Sequence, residues 1–309
     1  MFRIRFSSFF SALALFISTL TTTAVAQDDV RAYVVPHTEV FDLPSAEIGQ
    51  TYEIRVALPD SYGTDDQQDS YPLLVLLDAD YSFAIARNVA QHLAQRHNQL
   101  PEMIIVAIAY PGAADDYDFY HLTRTRDYTP LFFPTGGYGE EIQRVSGGGP
   151  AFLNFIENDL FPALEARYPV SAEDRTLEGH SYGGLFTTWV LFTRPDLFAR
   201  WIIVSPSYWY ADEFIYVYED EFAATHDTLN EVVFATVGSW ERNSELDMIE
   251  LMDRMAAQIE AHDYAGLSFD HYLYEQETHA SIWPAAISRG LRSVFNEPLP
   301  GQEAPPEDH

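Results

Sequence analysis

Two uninterrupted apolar runs constrain the fold of this chain more than any other feature of its sequence. Residues 71–78 read YPLLVLLD and residues 103–110 read MIIVAIAY. Strands of this kind are buried on both faces, which occurs when helices cover both sides of a mostly parallel sheet. Residues 82–97 lie between the two runs and carry apolar side chains at helical spacing, as a crossover between parallel strands requires. The sequence therefore predicts an α/β fold.

The same alternation continues along the chain and predicts a single domain over residues 27–296. Further strand-like runs cover residues 51–59, 175–178, 201–205, 231–237 and 267–274, and helical patterns cover residues 151–168, 185–192, 246–262 and 282–295. Pro162 predicts a kink or a break in the helical pattern around it. Residues 111–145 are long, aromatic and irregular, which indicates loops over a site. Residues 297–309 have the composition of a disordered tail.

Residues 1–26 have the pattern of a secretory signal peptide. Arg3 and Arg5 supply a positive start, residues 9–20 an apolar stretch, and residues 24–26 the small side chains that precede a cleavage site. The apolar stretch is shorter than the roughly 20 residues with which a helix spans a bilayer. The sequence predicts a periplasmic or secreted product with no membrane partner after cleavage. A retained N-terminal anchor is the alternative.

The composition excludes several partners and chemistries. The chain has 47 acidic residues against 17 arginines and no lysine, which gives a formal net charge of −30. Such a charge is repelled by nucleic-acid phosphates and by anionic membranes, so neither is predicted as a partner. The absence of cysteine excludes disulfides, thiol catalysis and cysteine-ligated metals.

A G-x-S-x-G pattern, GHSYG, occupies residues 179–183. Residues 175–178 approach it as a strand, and residues 185–192 follow it as a helix. This context is that of a nucleophile elbow, where the serine backbone is strained and flanking glycines permit close packing. The pattern predicts Ser181 as a nucleophile, and a purely structural glycine turn is the alternative.

A serine nucleophile needs a base, and one downstream histidine has a suitable position. In α/β-hydrolases the acid and the histidine follow the serine along the chain. Five of the ten histidines lie after Ser181, but only His279 stands just past the last predicted strand and just before the last helix. His279 is therefore predicted as the general base, with a surface-loop histidine as the alternative.

The acid that orients this base is expected after the strand at residues 231–237. Glu241, Glu245 and Asp247 all follow that strand. Glu241 is nearest to the strand end and is the preferred candidate. The other two carboxylates, and a Ser–His dyad without an acid, stay open.

An oxyanion hole requires two N–H groups aimed at the developing negative charge. One is predicted at Tyr182, the residue after the nucleophile, and the other at Asp80, in the loop after the strand at residues 71–78. The carboxylate of Asp80 then has to point away from the oxyanion.

Together these residues resemble the esterase family of α/β-hydrolases that contains siderophore esterases, S-formylglutathione hydrolase, feruloyl and acetyl-xylan esterases and the antigen 85 mycolyltransferases. The motifs that carry the resemblance are LDAD at residues 77–80, RTRDYTP at 124–130, GGG at 147–149, GHSYGG at 179–184, SPSYW at 205–209 and HAS at 279–281. The resemblance covers nearly all of the chain after residue 26 and is strongest to the periplasmic siderophore-hydrolase type. Ala79 departs from the family's usual glycine, so a reshaped oxyanion loop is expected.

The resemblance implies an α/β-hydrolase fold and a serine esterase that needs no cofactor and no metal. It implies a small-molecule ester substrate, of the catecholate trilactone type for a siderophore esterase, cleaved through an acyl-enzyme at Ser181. Glu241 matches the family's acidic position. Feruloyl or acetyl-polysaccharide ester hydrolysis, acyl transfer to an alcohol and a catalytically inactive binding module are the alternatives. The oligomeric state is left open.

Four further side chains are candidates for substrate binding. Arg124 and Arg126 are predicted to form a basic patch that an anionic ferric catecholate needs, and structural salt bridges with Asp127 are the alternative. Tyr208 and Trp209 are predicted to stack on an aryl or sugar-linked acyl group. For them the alternative is core packing.

Overall fold

A computed structural model describes residues 31–296, so the predicted signal peptide and the predicted tail lie outside the described residues. From His37 onward, these residues form one compact unit. Its strands are β1 (Thr38–Ser45), β2 (Gln50–Ala57), β3 (Tyr71–Leu76), β4 (Ile104–Ala109), β5 (Val170–His180), β6 (Arg200–Val204), β7 (Val232–Gly238) and β8 (Ser268–Tyr274). Its α-helices are α1 (Ala79–His97), α2 (Tyr117–Tyr128), α3 (Glu140–Gln143), α4 (Gly149–Phe155), α5 (Phe161–Glu165), α6 (Tyr182–Thr193), α7 (Tyr210–Ala223), α8 (Met248–His262) and α9 (Trp283–Asn296).

The eight strands form one sheet in the order β1-β2-β4-β3-β5-β6-β7-β8. The pairs β1–β2 and β2–β4 are antiparallel, and every later pair is parallel. The sheet is therefore mostly parallel, as the two apolar runs predict. Because the parallel strands all end at one edge, the segments that follow β3, β5, β6 and β7 meet there.

Two apolar layers, one on each face of the sheet, explain why the central strands lack alternation. Helices α1 and α9 cover one face, where Leu74 and Leu76 of β3 pack. Helices α4, α6 and α8 cover the other face, where Leu73 and Val75 pack. Successive side chains of a strand point to opposite faces, so both sets must be apolar.

Residues 111–145 depart from the expected loops because they contain helix α2 (Tyr117–Tyr128). Its buried positions include Thr123, Arg124 and Asp127, whose polar groups are paired within the protein. A helix that buries ion-paired and hydrogen-bonded side chains shows no clear apolar stripe in the sequence. The predicted irregularity was therefore wrong for this part of the segment.

The helical pattern around Pro162 contains a local change of helix type. A π-helical turn at Ile156–Leu160 separates α4 from α5, and Pro162 is the second residue of α5. Proline lacks an N–H and clashes with the preceding turn of an α-helix, so a wider turn just before it relieves both problems. Within residues 31–296, no helix combines the length and the apolar character needed to cross a bilayer.

Candidate active site

Ser181 stands in a sharp turn between the end of β5 and the start of α6. Its backbone has φ 60° and ψ −117°, a conformation that non-glycine residues rarely adopt. The turn packs so closely that a Cβ at Gly179 would overlap the carbonyl of Gly183, and one at Gly184 would press on the carbonyl of Val204. This geometry is that of the nucleophile elbow expected from the sequence.

His279 lies in the segment between β8 and α9 and is bonded to Glu241. The distance from its Nδ1 to Glu241 Oε2 is 2.6 Å. A carboxylate can only accept a hydrogen bond, so Nδ1 carries the proton and Nε2 is the basic nitrogen. The His279 side chain is 41% exposed, whereas the Glu241 side chain is fully buried. The imidazole is thus oriented from inside the protein and accessible from outside.

Glu241 is itself fixed by two donors. Its Oε1 accepts hydrogen bonds from the N–H of Gly238 at 2.7 Å and from the hydroxyl of Ser205 at 2.6 Å. The two competing carboxylates lie elsewhere, since Asp247 caps the N-terminus of α8 and Glu245 is exposed on the same loop. Of the three acidic candidates, the structure brings only Glu241 to His279.

Among the described residues, no direct hydrogen bond joins the side chains of Ser181 and His279. Ser181 Oγ is bonded instead to the hydroxyl of Ser207 at 3.3 Å. Catalytic hydrogen bonds are commonly loose before substrate binds and tighten in the complex. Ser207 was not assigned a role from the sequence, although it belongs to the SPSYW motif.

His180 connects the elbow to the segment that carries His279. Its Nε2 lies 2.8 Å from the main-chain carbonyl oxygen of His279, so this nitrogen is the N–H donor. Burial lowers the pKa of His180 well below its ordinary value, and the charges of His279 and Arg124 lower it further. His180 therefore stays neutral and keeps its donor nitrogen toward the carbonyl. This contact was missed in the sequence because it depends on two distant segments meeting.

The two residues predicted to form the oxyanion hole both stand in first helical turns. Tyr182 is the first residue of α6 and Asp80 the second residue of α1. N–H groups at these positions have no intrahelical acceptor, so they are available to an anion. The carboxylate of Asp80 is bonded to Arg55 at 2.7 Å. This ion pair gives the carboxylate a partner of its own at the end of β3.

Arg124 is buried and ion-paired rather than free. Its Nε and Nη2 lie 3.0 and 2.9 Å from the two carboxylate oxygens of Asp78, and the side chain is 2% exposed. It also donates to the main-chain carbonyl of His180 and to the hydroxyl of Tyr138. Arg124 thus joins the end of β3 to the elbow, with Asp78 as its partner in place of the Asp127 considered from the sequence.

Arg126 has the alternative role that the sequence left open. Its guanidinium lies 2.6 and 2.9 Å from the two carboxylate oxygens of Asp127, and Tyr52 donates its hydroxyl to the same carboxylate. Arg126 lines neither of the two cavities that open at Ser181. It therefore does not form a basic patch with Arg124.

Two cavities meet at Ser181, and Tyr138, Ser181 and His279 line both. The first, which we name the helix cavity, has a volume of about 390 Å³ and is lined from α1, α2 and α9 by Tyr81, Ile85, Tyr120, His121, Arg124, Trp283 and Pro284. The second, which we name the loop cavity, has a volume of about 450 Å³ and is lined mainly from the β7–α8 loop and the segment after β6 by Tyr182, Ser207, Trp209, Trp240, Glu241, Arg242, Asn243, Leu246 and Met248. A substrate with groups on both sides of its ester fits this arrangement.

The two aromatic candidates for stacking have different positions. Trp209 lines the loop cavity. Tyr208 is buried, its hydroxyl is bonded to Thr188, and it does not line either cavity. Trp209 is therefore placed to contact a substrate, and Tyr208 packs in the core, which was its alternative interpretation.

One group of side chains among residues 31–296 has the spacing of metal ligands: Glu219, Asp220 and His262. The Glu219 carboxylate is buried and accepts hydrogen bonds from Tyr264 and Gln258, while His262 lies 2.8 Å away. None of the three lines the cavities at Ser181. The group is explained as a buried carboxylate satisfied by its neighbours.

Known proteins with similar sequences include two siderophore esterases. Residues 45–250 match the family described as "Putative esterase". The chain is 34% identical over 293 residues to the siderophore triacetylfusarinine C esterase of Aspergillus fumigatus, with 85% of this chain and 94% of that protein covered. It is 30% identical over 273 residues to the ferri-bacillibactin esterase BesA of Bacillus subtilis, with 86% and 92% covered.

The solved structures show the same architecture. The crystal structure of the BES protein from Bacillus cereus matches with a TM-score of 0.74 and 27% identity, covering 86% of this chain and 98% of that one. The α/β-hydrolase fold predicted from the sequence is thereby confirmed.

Proposed function

The chain belongs to this esterase family and is a carboxylic ester hydrolase, and from this premise we propose that it cleaves siderophore esters through an acyl-enzyme at Ser181. The observation that carries the proposal is the 2.6 Å hydrogen bond between His279 Nδ1 and Glu241, beside an elbow serine that opens into the same two cavities. The similarity to two siderophore esterases, over 85% and 86% of this chain, supports the substrate class.

The proposed reaction is acyl transfer to water. His279 Nε2 takes the proton of Ser181 as Oγ attacks the ester carbonyl, and the N–H groups of Tyr182 and Asp80 hold the oxyanion. The tetrahedral intermediate collapses, and His279 returns the proton to the departing alcohol. Water then attacks the acyl-enzyme while His279 takes a proton from it. His279 returns this proton to Ser181 Oγ, which leaves as the acid is released. Removing one oxyanion donor costs about 10²–10³ in turnover in serine hydrolases, so these positions matter kinetically.

The cavities support a substrate larger than a simple ester. Their volumes of about 390 and 450 Å³ lie within the range of roughly 300–1,000 Å³ for small-molecule sites. A chelator whose arms are joined by several esters can place one arm in each cavity while its ester lies at Ser181.

Hydrolysis assays with matched variants test the proposal. The mature protein is expected to cleave short-chain p-nitrophenyl esters and a siderophore triester, with products separated by chromatography. Ser181→Ala and His279→Ala are expected to lose most of both activities while their circular dichroism spectra stay unchanged. A folded wild-type protein that cleaves neither substrate would refute the esterase mechanism. Adding a primary alcohol distinguishes hydrolysis from acyl transfer by its ester product.

Export completes the proposal. Residues 1–26 carry the charge, apolar stretch and small residues of a signal peptide, and cleavage is proposed before Gln27. Expression in a Gram-negative host, followed by fractionation and N-terminal sequencing, checks this directly. A product that keeps Met1 in the membrane fraction would indicate a retained anchor instead.

A further inference from the structure

The cations around Ser181 are neutralised by nearby carboxylates. Arg124 lines the helix cavity, but its guanidinium is bonded to both oxygens of Asp78. Arg55, next to the predicted oxyanion loop, is bonded to Asp80 at 2.7 Å and to Glu53 at 2.8 Å. The positive charge of each arginine is therefore already paired with a carboxylate of the protein.

Arg242 is the arginine of the loop cavity, and carboxylates lie near it as well. Its Nε lies 3.6 Å from Asp247, and Glu241 lines the same cavity. The lining of the two cavities therefore contains two arginines, Arg124 and Arg242, each with its own carboxylate partner, and Glu241 adds a third carboxylate. Among the described residues, the surroundings of Ser181 offer no net positive charge.

The rest of the molecule adds repulsion for an anion. The formal net charge is −30, and such a field lowers the local concentration of anionic ligands and slows their association. Salt screens this repulsion over a Debye length of ~8 Å at physiological ionic strength. Desolvating a charged ligand costs free energy that cations and hydrogen-bond donors of the site have to offset.

Aromatic rings also line the helix cavity, and the face of such a ring has the same preference. Tyr81, Tyr120, His121 and Trp283 line it. The face of an aromatic ring is negative, so it attracts cations and neutral planar groups and disfavours anions.

Siderophore esters differ sharply in charge. Three catecholates around ferric iron form a trianion, whereas three hydroxamates around ferric iron form an uncharged complex, and an iron-free catechol ester is uncharged while its hydroxyls are protonated. Resting on the siderophore-ester activity proposed above, we infer that this site selects uncharged siderophore esters, either ferric trihydroxamates or iron-free catechols, over anionic ferric catecholates.

The test compares four substrates in one assay: a catecholate trilactone and a trihydroxamate ester, each with and without ferric iron. At low ionic strength, iron is expected to lower kcat/KM for the catecholate by ~10-fold or more, the ratio that corresponds to about 1.4 kcal/mol of differential interaction. Iron is expected to change kcat/KM for the hydroxamate less than ~3-fold, because its charge stays the same. The hydroxamate pair controls for the rigidity that iron imposes on any chelator. Added salt is expected to shrink the catecholate ratio.

A matched pair of variants links the selectivity to the cavity. Asp247→Asn removes the carboxylate beside Arg242, and asparagine retains the ability to cap α8. It is expected to raise the rate on the ferric catecholate relative to the iron-free form. Asp253→Asn changes the net charge equally on an exposed position of α8 outside both cavities and is expected to leave that ratio unchanged.

Two outcomes would overturn the inference in distinguishable ways. If the ferric catecholate is cleaved as fast as its iron-free form, charge selection is wrong and siderophore hydrolysis stands. If none of the four substrates is cleaved while p-nitrophenyl esters are, both the charge selection and the siderophore activity are wrong.

Discussion

The two cavities that meet at Ser181 are built in different ways. The helix cavity is lined from α1, α2 and α9, and its side chains are bonded to one another: Tyr81 to Tyr120 at 2.7 Å, and Tyr120 to Asp78 at 2.8 Å. The loop cavity is lined by the β7–α8 loop, where the Trp240 residue is 62% exposed and the Arg242 side chain 57% exposed. The helix-cavity wall is held by these hydrogen bonds, whereas the loop cavity includes the exposed side chains of Trp240 and Arg242 beside the buried Glu241.

This difference separates two tasks of a binding site. A fixed wall holds a group in one orientation and rejects groups of the wrong shape or charge, because its side chains cannot move to relieve a clash. Exposed side chains on a loop adjust to varied groups at low cost. We therefore expect the helix cavity to fix the shape and orientation of the group that it binds, and the exposed part of the loop cavity to accommodate the rest of the substrate.

The largest expected effect concerns Glu241, which lines the loop cavity and is bonded to His279, the base that lines both cavities. Glu241→Gln keeps the shape but removes the charge that fixes the His279 tautomer, so kcat is expected to fall by ~10²–10⁴ on every ester substrate. Steady-state kinetics with p-nitrophenyl acetate measures it, and Glu245→Gln, an exposed position on the same loop, serves as the control. A loss below ~3-fold would indicate that Ser181 and His279 work as a dyad, against the triad pattern.

The next largest effect is expected on the free energy of unfolding, when a side chain of the helix-cavity wall is replaced. Arg124→Met leaves Asp78 buried without its partner, and breaking a buried ion pair in this way costs ~3–5 kcal/mol. Arg242→Gln removes an exposed arginine of the loop cavity and is expected to cost less than ~0.5 kcal/mol. Urea unfolding compares the two variants. Similar losses of unfolding free energy in the two variants would mean that the two walls are held equally firmly.

A smaller effect is expected where the elbow contacts the segment of the base. His180→Ala removes the hydrogen bond to the carbonyl of His279, and misplacing the base is expected to lower kcat by about 10-fold, the equivalent of one net hydrogen bond. KM is expected to change little, and His180→Gln, which restores a side-chain N–H, should recover part of kcat. An equal fall of kcat in both variants would assign His180 a packing role only.

The smallest effect is expected on the pH dependence of stability and concerns Glu178, a buried residue of β5 near Asp78. The two carboxylate oxygens of Glu178 have no hydrogen-bond partner among the described residues. Burial raises its pKa well above the ordinary value of 4.5, and the charge of Asp78 raises it further. Above pH 4.5 the unfolded chain ionises Glu178 while the folded chain keeps it protonated, so its contribution to stability falls as pH rises toward the folded pKa.

Replacing this carboxyl should remove that pH dependence. Glu178→Leu is expected to stabilise the protein by ~1 kcal/mol or more at pH 8, since an unpaired buried polar group is lost, and to matter less near pH 5. Denaturant unfolding at the two pH values measures the change. Glu173→Gln, an exposed position of the same strand, is the control. A destabilised Glu178→Leu at pH 8 would show that the carboxyl has a partner in solution.

The sequence predicted best what local pattern determines. The apolar runs at 71–78 and 103–110 correspond to β3 (Tyr71–Leu76) and β4 (Ile104–Ala109). Chain order and strand ends predicted His279 and favoured Glu241 over the acids that stayed open, and the structure brings these two residues together. Contacts between polar groups that are distant in the sequence were harder to predict. The Arg124–Asp78 pair joins residues 46 apart and hides α2 from a search for apolar periodicity.

The backbone of Ser181 also bears on how this chain changes under selection. A non-glycine residue held at φ 60° and ψ −117° stores ~1–3 kcal/mol of backbone strain, which a glycine at the same position would not have. Under selection for folding alone, Ser181→Gly is therefore a favoured step, whereas Gly179 and Gly184 are kept by the packing around them. Inactive copies of this chain should accordingly differ first at the nucleophile and retain its glycines.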